Sequence, residues 1–272
     1  MSGGLAGRVT SLWRHPVKGF TPERLSEVTL TAGGHFPCDR LFAIEDGPSG
    51  FDPAAPAHIS KMRFTVLARL PRIAAIRTRY DEASGILTAS HPDFEDVQAQ
   101  MAEAAGRDAL AAWVTQVLGE DVRGTLKVLP APDGHRFMDS RSGFVSIINL
   151  ASVRDLETKT GRAIDPLRFR GNILVDGWPA WSEHTLAEKT VTLGGATLKG
   201  IKPITRCAAT HVDPATAEAD MNLTAALYQH YGHMDCGLYA EVVTGGPVSP
   251  GDVIEALITQ DQSRQLASPE KT

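Results

Sequence analysis

The chain has 272 residues, of which 42% are hydrophobic and 22% are charged, and its formal net charge at pH 7 is -5. This length suits two domains with separate cores, and an acidic balance argues against a nucleic-acid partner. No stretch has the apolar length of a signal peptide or a membrane span, and three cysteines are too few for a disulfide framework. We therefore expect a cytoplasmic protein without a membrane span.

The pattern of residues 1–120 predicts a β-rich N-terminal domain. Alternating apolar and polar residues from Gly7 predict a strand that runs into a loop displaying Lys18. Further strands are predicted at residues 26–31, 41–44, 63–70, 73–80 and 85–89. The segment 45–56 is rich in glycine, proline and aspartate, which predicts a long loop between the strands at 41–44 and 63–70.

Residues 96–119 differ from the rest of this half. They are rich in Ala, Gln, Glu and Leu, and their apolar residues recur at helical spacing. The pattern predicts an amphipathic helix that ends at Gly119. Because a strand pattern follows at 122–129, we predict a domain boundary after residue 120.

The remaining chain is predicted to form a second domain over residues 121–262, followed by a frayed tail over 263–272. Short helices are predicted at 151–160 and 223–231, each closed by a glycine. The predicted strands are 122–129, 145–149, 169–177, 190–193, 197–202, 237–243 and 253–257. Many short strands, few helices and no βαβ rhythm predict a mainly β, α+β fold, with a β-barrel-like domain packed on the N-terminal β-rich domain.

Cys207 is the residue with the clearest chemical potential, because Arg206 precedes it between two strand patterns. The pKa of a cysteine thiol in solution is about 8.5, and a neighbouring cation favours the thiolate. The thiolate is the form that acts as a nucleophile or binds a metal. On these residues alone, a half-buried core cysteine with Arg206 pointing to solvent is the favoured alternative.

Several basic residues lie at predicted strand–loop junctions of this acidic chain. Each alone is most simply a solvated surface charge, but together they could converge on one anion such as a phosphate. These residues are Lys18, Arg40, Arg141, Arg168, Arg170 and Arg206.

Common cofactor and metal motifs give little support to other functions. No GxGxxG, GxxxxGK, HExxH or GxSxG pattern occurs, which argues against nucleotide-binding, zinc-protease and hydrolase sites. His230, His233 and Cys236 are spaced three apart, and Cys207 or His211 could complete a zinc site with them. Because a glycine between them ends the predicted helix and breaks the shared face, the sequence disfavours zinc.

Five segments, in order along the chain, resemble the MOSC domain proteins, and in particular their amidoxime-reducing branch. They are residues 15–18 (His-Pro-Val-Lys), 39–42 (Asp-Arg-Leu-Phe), 168–172 (Arg-Phe-Arg-Gly-Asn), 203–207 (Pro-Ile-Thr-Arg-Cys) with the Val-Asp-Pro turn at 212–214, and 236–240 (Cys-Gly-Leu-Tyr-Ala) with Gly-Asp at 251–252. The resemblance extends over nearly the whole chain. Any one of these segments is a weak signal, whereas five in register are a strong one.

The resemblance implies a molybdenum pyranopterin, the molybdenum cofactor, held between the N-terminal β domain and the MOSC barrel. It implies that Cys207 is the catalytic residue and a thiolate ligand of the metal. The implied contacts to the cofactor's anion or pterin are Lys18, Arg40, Arg170 and Arg206, and the implied hydrogen-bonding partners are Thr205 and Asn172. A soft thiolate suits this metal, and a phosphate would explain the basic cluster.

The sequence departs from the family pattern at four positions. Gly19 stands where many members have serine, and Gly171 replaces a proline. Ile204 replaces a small residue or cysteine, and Cys236 stands where an aromatic is usual, so we interpret Cys236 as a core residue. None of these departures changes Cys207.

The resemblance implies an oxidoreductase that reduces an N-hydroxylated or similar N-oxygenated small molecule, with electrons from a separate ferredoxin- or cytochrome-like protein. The alternative is a sulfur carrier or molybdenum-cofactor carrier, in which Cys207 bears a persulfide. A third possibility is a purely structural barrel. The first two hypotheses require Lys18, Arg40, Arg170 and Cys207 to line one cavity.

Overall fold

The computed structural model describes residues 4–141 and 144–257, so the predicted tail lies outside the described residues. The strands are β1 (Gly4–Arg14), β2 (Glu23–Leu25), β3 (Val28–Leu30), β4 (Phe42–Asp46), β5 (Arg77–Asp81), β6 (Ile86–His91), β7 (Phe94–Gln100), β8 (Leu126–Pro130), β9 (Val145–Asn149), β10 (Ile173–Asp176), β11 (Thr190–Leu193), β12 (Ala196–Thr205), β13 (Asp235–Thr244), β14 (Gly246–Val248) and β15 (Val253–Leu257). The helices are α1 (Ala104–Leu118), α2 (Leu150–Thr160) and α3 (Leu223–Tyr231). The predicted mainly β fold with a few helices is confirmed.

Seven strands form a closed barrel in the order β10-β9-β13-β12-β11-β15-β1, and β1 pairs back onto β10 to complete the ring. The pair β10–β9 is parallel, and the other pairs of the ring are antiparallel. The first half of β1 pairs with β15 and the second half with β10, with a register shift between Val9 and Ser11. The barrel therefore depends on a strand from the start of the chain.

Alternation of side chains along the strands fills the barrel with apolar residues, as the period-2 geometry of a strand requires. On β1, the buried positions include Leu5, Val9 and Leu12, with partly or fully exposed residues between them. They join a continuous core with side chains of the other barrel strands, including Ile147, Val191, Leu198, Leu238 and Ile254.

The N-terminal half adds a three-stranded antiparallel sheet, β5-β6-β7, and a strand, β4, that pairs with β8. Helix α1 packs against β7 and β8 and buries Leu110, Trp113 and Val114 in a second core. Gly119 lies at the C-terminus of α1, as predicted. The helix begins later than residue 96, however, because residues 94–100 form strand β7.

The strand predicted at 63–70 is wrong. Lys61–Arg63 is a short 3-10 helix, and the residues after it form turns. This segment lies between two cores: Phe64 and Val66 pack in a small cluster with Phe137, whereas Leu67 and Leu70 pack in the core under α1. Because the segment supplies apolar residues to two cores, its apolar content is like that of a buried strand. The strand predicted at 73–80 is shorter for a similar reason, since Pro71–Ala75 is a 3-10 helix before β5.

The boundary after residue 120 stays a prediction, and the structure shows strands that pair across it in both directions. Strands β1 and β3 pair with β15 and β14 of the second half, and β8 pairs with β4 of the first half. Within the described ranges, no helix combines the length and the apolar character that crossing a membrane requires.

Candidate functional site

A cavity of about 500 Å³ lies where the N-terminal loops meet the barrel. One side is formed by the loop after β1, the segment around Lys61 and the loop that precedes β9. The other side is formed by β9, β12 and β13, by the 3-10 helix Pro166–Phe169 and by the turn after β12. Lys18, Arg40, Arg170 and Cys207 all line this cavity, as do Thr205 and Arg206.

The lining is strongly positive. Asp139 is the only acidic residue among the lining residues in the described part of the chain. The eight basic residues are Lys18, Arg40, Lys61, Arg141, Arg168, Arg170, Lys202 and Arg206. A concave surface lined by one sign of charge concentrates its field, so the cavity is suited to an anion.

Cys207 is a half-buried free thiol between the end of β12 and a 3-10 turn, Ala208–His211. Its carbonyl oxygen accepts hydrogen bonds from the backbone N–H and the Oγ1 of Thr210, each at 3.0 Å. These bonds fix the backbone that carries the thiol. The turn thus presents Cys207 to the cavity from a constrained position.

Lys61 and Cys207 both line the cavity, and their side chains interact there. Burial acts to lower the pKa of Lys61, but the interaction with the Cys207 side chain and the charge of Asp139 together outweigh burial, so the pKa is raised. Lys61 therefore brings a charged ammonium to the wall that it shares with Cys207.

Asp139 connects two lysines. Its carboxylate accepts a hydrogen bond from Lys18 Nζ and lies 3.8 Å from Lys61 Nζ. Lys18, which is buried, also donates to the carbonyl oxygen of Phe137 at 2.9 Å. Desolvation acts to raise the pKa of Asp139, but the charge and hydrogen bond of Lys18 and the charges of Lys61 and Arg40 together outweigh it, so the pKa is lowered. Asp139 therefore stays ionised and holds both ammonium groups at the cavity wall.

Arg40 and Arg170 both have left-handed backbone conformations, with φ of 51° and 53°. Such a conformation costs an ordinary residue roughly 1–2 kcal/mol and is concentrated at functional sites. Arg40 forms an ion pair with the buried Asp39 and donates to the carbonyl oxygen of Arg170 at 3.2 Å. Burial acts to raise the pKa of Asp39, but the charge of Arg40 holds it well below its usual range.

Arg170, like Arg206, has no ion-pair partner among the described residues of the wall. Its Nη1 donates to the carbonyl oxygen of Phe20 at 2.8 Å, and no carboxylate of residues 4–141 or 144–257 forms an ion pair with it. Burial, followed by the charge of Arg40, lowers its pKa to about 9. A guanidinium that keeps free donors and faces a cavity is a ready partner for a phosphate or carboxylate.

Arg206 is committed to the backbone. Its Nε and Nη2 donate to the carbonyl oxygen of Cys236, its Nη1 donates to that of Phe169 at 2.6 Å, and its guanidinium lies 5.4 Å from the centre of the Phe169 ring. Burial lowers its pKa. Arg206 thus adds positive charge to the wall while it connects β13 to the 3-10 helix Pro166–Phe169.

Arg168 differs from the other arginines of the cavity because two carboxylates pair with it. It is buried and bonds Asp213 at 2.7 Å, Asp220 at 2.8 Å and the carbonyl oxygen of His211 at 2.9 Å. All of these partners lie in the segment after Cys207. Arg168 therefore anchors the turn that carries the thiol.

The two residues predicted to hydrogen-bond the cofactor, Thr205 and Asn172, differ in position, since only Thr205 lines the cavity. Thr205 is exposed at the cavity and donates its hydroxyl proton to Asp235 Oδ1 at 2.6 Å. Asn172 is fully buried and is not among the residues that line the cavity. Its Oδ1 accepts from the Oγ of Ser146 at 2.7 Å, and its Nδ2 donates to the carbonyl oxygen of Trp13 at 3.2 Å. Asn172 thus supports Ser146, which does line the cavity.

The zinc alternative gains no support. In the part of the chain that the structure describes, no three His, Cys, Asp or Glu residues are grouped so that they could hold a metal ion. Gly232 ends α3 with φ of 74°. His211 Nε2 lies 2.9 Å from Thr224 Oγ1, and Cys236 is fully buried in an apolar cluster, as its interpretation as a core residue requires.

The glycine at position 19 has a structural reason. Gly19 has φ of 87°, and a Cβ there would lie 2.5 Å from the carbonyl oxygen of Thr65. A serine at this position would require the loop or its neighbour to shift. At Gly171, a Cβ would collide with the side chain of Ile148, so this position also excludes a larger residue without rearrangement.

Several lining residues were not predicted: Lys61, Asp139, Lys202 and Tyr239. Lys61 precedes the segment that imitates a strand, and nothing local distinguishes it. Asp139 lies two residues before Arg141, which the sequence had already identified as a possible anion contact. Tyr239 belongs to one of the family-like segments, where its pairing with β12 would have predicted a position near Cys207.

Comparisons with known proteins match both halves of the chain. Residues 6–122 match the family model described as the MOSC N-terminal beta barrel domain, and residues 134–255 match the one described as the MOSC domain. The chain is 24% identical over 299 residues to mitochondrial amidoxime reducing component 2 of Bos taurus, an alignment that covers 93% of this chain and 84% of the relative.

Two further similarities are more limited. Molybdenum cofactor sulfurase of Caenorhabditis briggsae is 32% identical over 127 residues, which is 43% of this chain and 17% of that protein. The crystal structure of the YUAD protein from Bacillus subtilis superposes with a TM-score of 0.49 and 15% identity, covering 96% of this chain and 100% of that chain.

Proposed function

The chain belongs to the MOSC domain proteins, and from this premise we propose that it is a molybdenum-cofactor-dependent oxidoreductase. We propose that it reduces N-hydroxylated or similar N-oxygenated small molecules. The observation that carries this proposal is the cavity in which a free thiol, Cys207, faces a basic wall that includes the unpaired Arg170. A purely structural barrel would have no need for such a wall.

The residues present fit the cofactor. A thiolate is a soft ligand for a transition metal, and Cys207 is the free cysteine that lines the cavity. A terminal phosphate needs cationic and hydrogen-bonding partners, and Arg170 keeps donors that no described carboxylate occupies. The volume of about 500 Å³ is in the range of small-molecule and cofactor sites.

In the proposed reaction, R–NH–OH, two electrons and two protons give R–NH2 and water. When bound, the molybdenum cofactor supplies two-electron oxygen-atom chemistry. The electrons would come from a separate ferredoxin- or cytochrome-like protein, and the protons from solvent.

We assign the following roles to the chain's own residues. Cys207 Sγ would bind the metal, and Lys61 Nζ would hold a proton beside it and balance the thiolate charge. Arg170 would bind the phosphate, and Lys18, Arg40 and Arg206 would maintain the positive wall around it. Thr205 Oγ1 would accept a hydrogen bond from the pterin, and Asn172 would act indirectly by fixing Ser146.

The first test is the molybdenum content of protein made in a cofactor-competent host. We expect wild type to contain the metal and to oxidise a reduced dye when benzamidoxime is added. We expect Cys207→Ser to lose most of its metal, with activity at least about 100-fold lower. Cys38→Ser is the matched control, because Cys38 is a partly buried free thiol that does not line the cavity.

Two outcomes would contradict the oxidoreductase proposal. One is wild-type protein without molybdenum that behaves like Cys207→Ser in every assay. The other is protein that contains molybdenum but leaves the dye reduced with every N-oxygenated compound supplied.

A second candidate function is sulfur or cofactor delivery, and the similarity to a molybdenum cofactor sulfurase favours it. In this case the Cys207 thiolate would accept a sulfur atom from the persulfide of a cysteine desulfurase, which would return to its thiolate form. Incubation with a desulfurase would then raise the mass of the chain by one sulfur atom at Cys207. Sulfur uptake without dye oxidation would favour this function over the reductase.

We also propose a cytoplasmic location. Cys38, Cys207 and Cys236 are all unpaired in the structure, which supports a reducing compartment.

A further inference from the structure

The basic residues of the cavity differ in how much of their charge the protein itself neutralises. Half of the eight have carboxylate partners among the described residues. These pairs are Lys18 and Lys61 with Asp139, Arg40 with Asp39, and Arg168 with Asp213 and Asp220. The remaining four cations are left for ligands.

The unneutralised cations lie at two depths. Arg170 and Arg206 are in the wall, where burial lowers the pKa of each and backbone carbonyls take up part of their donors. Lys202 and Arg141 line the same cavity but are exposed. The wall arginines suit the buried phosphate of a cofactor. An exposed cation at the mouth meets instead whatever enters from solvent.

Lys202 has a defined place at this mouth. It lies on β12, and its Cα pairs with Tyr239 on β13, which in turn pairs with Ser146 on β9. All three residues line the cavity, so they form one row across neighbouring strands. Lys202 precedes Cys207 by five residues, and an extended chain limits the separation of their Cα atoms to about 17 Å.

Lys199, on the same strand, provides a contrast. Its ammonium forms an ion pair with Glu188 at 2.5 Å, and it does not line the cavity. Lys202 forms no ion pair with any residue of the two described ranges. Of these two lysines on β12, Lys202 is therefore the one whose charge is available inside the cavity.

We propose that Lys202 makes the cavity select N-oxygenated substrates that carry a negative charge, such as a carboxylate, at the end remote from the N–O bond. This inference rests on the proposed reductase function and adds the substrate class. A lysine at the mouth of a one-sign cavity raises both the encounter rate and the affinity for an anion. Because Lys202 is exposed and screened by solvent, the expected preference is modest, about fivefold.

The test uses the holoenzyme with a reduced dye and two substrates that differ in one group, benzamidoxime and 4-carboxybenzamidoxime. We expect kcat/KM of wild type to be about fivefold higher for the carboxylate. Lys202→Gln should abolish this preference through a higher KM for the carboxylate, with benzamidoxime unaffected. Lys202→Arg should retain the preference, and Lys199→Gln is the matched control that should leave it unchanged.

A second measurement separates this inference from the proposed function. Calorimetric titration of both compounds into the same holoenzyme without reductant gives their dissociation constants. If neither compound is reduced, the reductase proposal fails, while tighter binding of the carboxylate that is lost in Lys202→Gln still supports the role of Lys202. Equal binding of the two compounds by wild type, or an equal loss for both in Lys202→Gln, overturns it.

Discussion

Two arginines at the short helix Pro166–Phe169, Arg168 and Arg170, differ in how the protein neutralises their charge. Arg168 is 3% exposed and points to the segment after Cys207, where Asp213 and Asp220 neutralise it. Arg170, two residues later, forms a side-chain hydrogen bond only to the carbonyl oxygen of Phe20 among the described residues. The charges of Arg40, Asp39 and Asp139 all act on it, but neither carboxylate forms an ion pair with it.

The difference shows which of the two charges is structural. A protein gains nothing in stability from a guanidinium placed beside another cation without a carboxylate. It keeps such a group where a ligand completes the pair. We therefore expect Arg168 to stabilise the fold around the cavity and Arg170 to serve the ligand that the cavity binds.

The largest difference that we expect between Arg168 and Arg170 is in the stability of variants that lack them. Arg168→Met should lower the free energy of unfolding by about 3 kcal/mol, because it leaves the partly buried Asp213 without its cation and leaves Asp220 with Arg162 alone. Urea unfolding at neutral pH measures this change. A loss of less than about 1 kcal/mol would show that the pair is dispensable, and the contrast with Arg170 would lose its basis.

Arg170→Met should show the reverse pattern. We expect the free energy of unfolding to change by less than about 1 kcal/mol, because the removed charge has no carboxylate partner and only one hydrogen bond is lost. Molybdenum retention after desalting should fall about tenfold, which corresponds to the loss of one charge-assisted contact. Unchanged retention together with a large loss of stability would reverse the two assignments.

A third way to bury an ionisable group is to keep it neutral, and His184 is the example. Burial, followed by the charge of His233, lowers its pKa to about 4, and its Nε2 is buried without a partner among the described residues. Below about pH 6.5, His184 binds a proton in the unfolded chain but stays neutral in the folded protein. Its contribution to stability is therefore present above this pH and is lost as the pH falls towards 4.

The smallest effect follows from this neutral histidine. In His184→Phe, the pH dependence of the free energy of unfolding between pH 6.5 and 5 should be shallower by about 1 kcal/mol per pH unit. Urea unfolding at several pH values measures the slope. Parallel curves for wild type and variant would mean that His184 does not titrate on unfolding in this range.

The sequence predicted much of the fold, because alternation and glycine punctuation are local signals. Gly161 and Gly232 follow α2 and α3 with positive φ, as their positions predicted. Strand β7 was missed because its residues are mostly exposed, so the sequence shows little apolar alternation there. Closure of the ring by β1 could not be predicted, since it depends on pairing between distant strands.

The site was predicted only in part, because some of its residues lie in recognisable local segments and others do not. Lys18, Arg40, Arg170, Arg206 and Cys207 belong to family-like segments and meet in one cavity. Their roles towards a cofactor stay predictions. Lys61 and Lys202 have no local signature, and only the packing of the N-terminal loops on the barrel brings both to the cavity that Cys207 lines. Asn172 is the converse case: it lies in a family-like segment, but its amide is buried and bonds Ser146 instead of lining the cavity.

The pairing of β1 with β15 has a consequence for how the protein is made. Gly4 pairs with Leu257, so the ribosome must synthesise nearly the whole described chain before this contact can form. Contacts so distant in sequence close slowly, and until this one forms the first half of β1 has a free edge that can pair with other molecules. A shortened version that begins after β1 would retain Cys207 but leave the barrel open. Fragments and fusions should therefore keep the first strand attached.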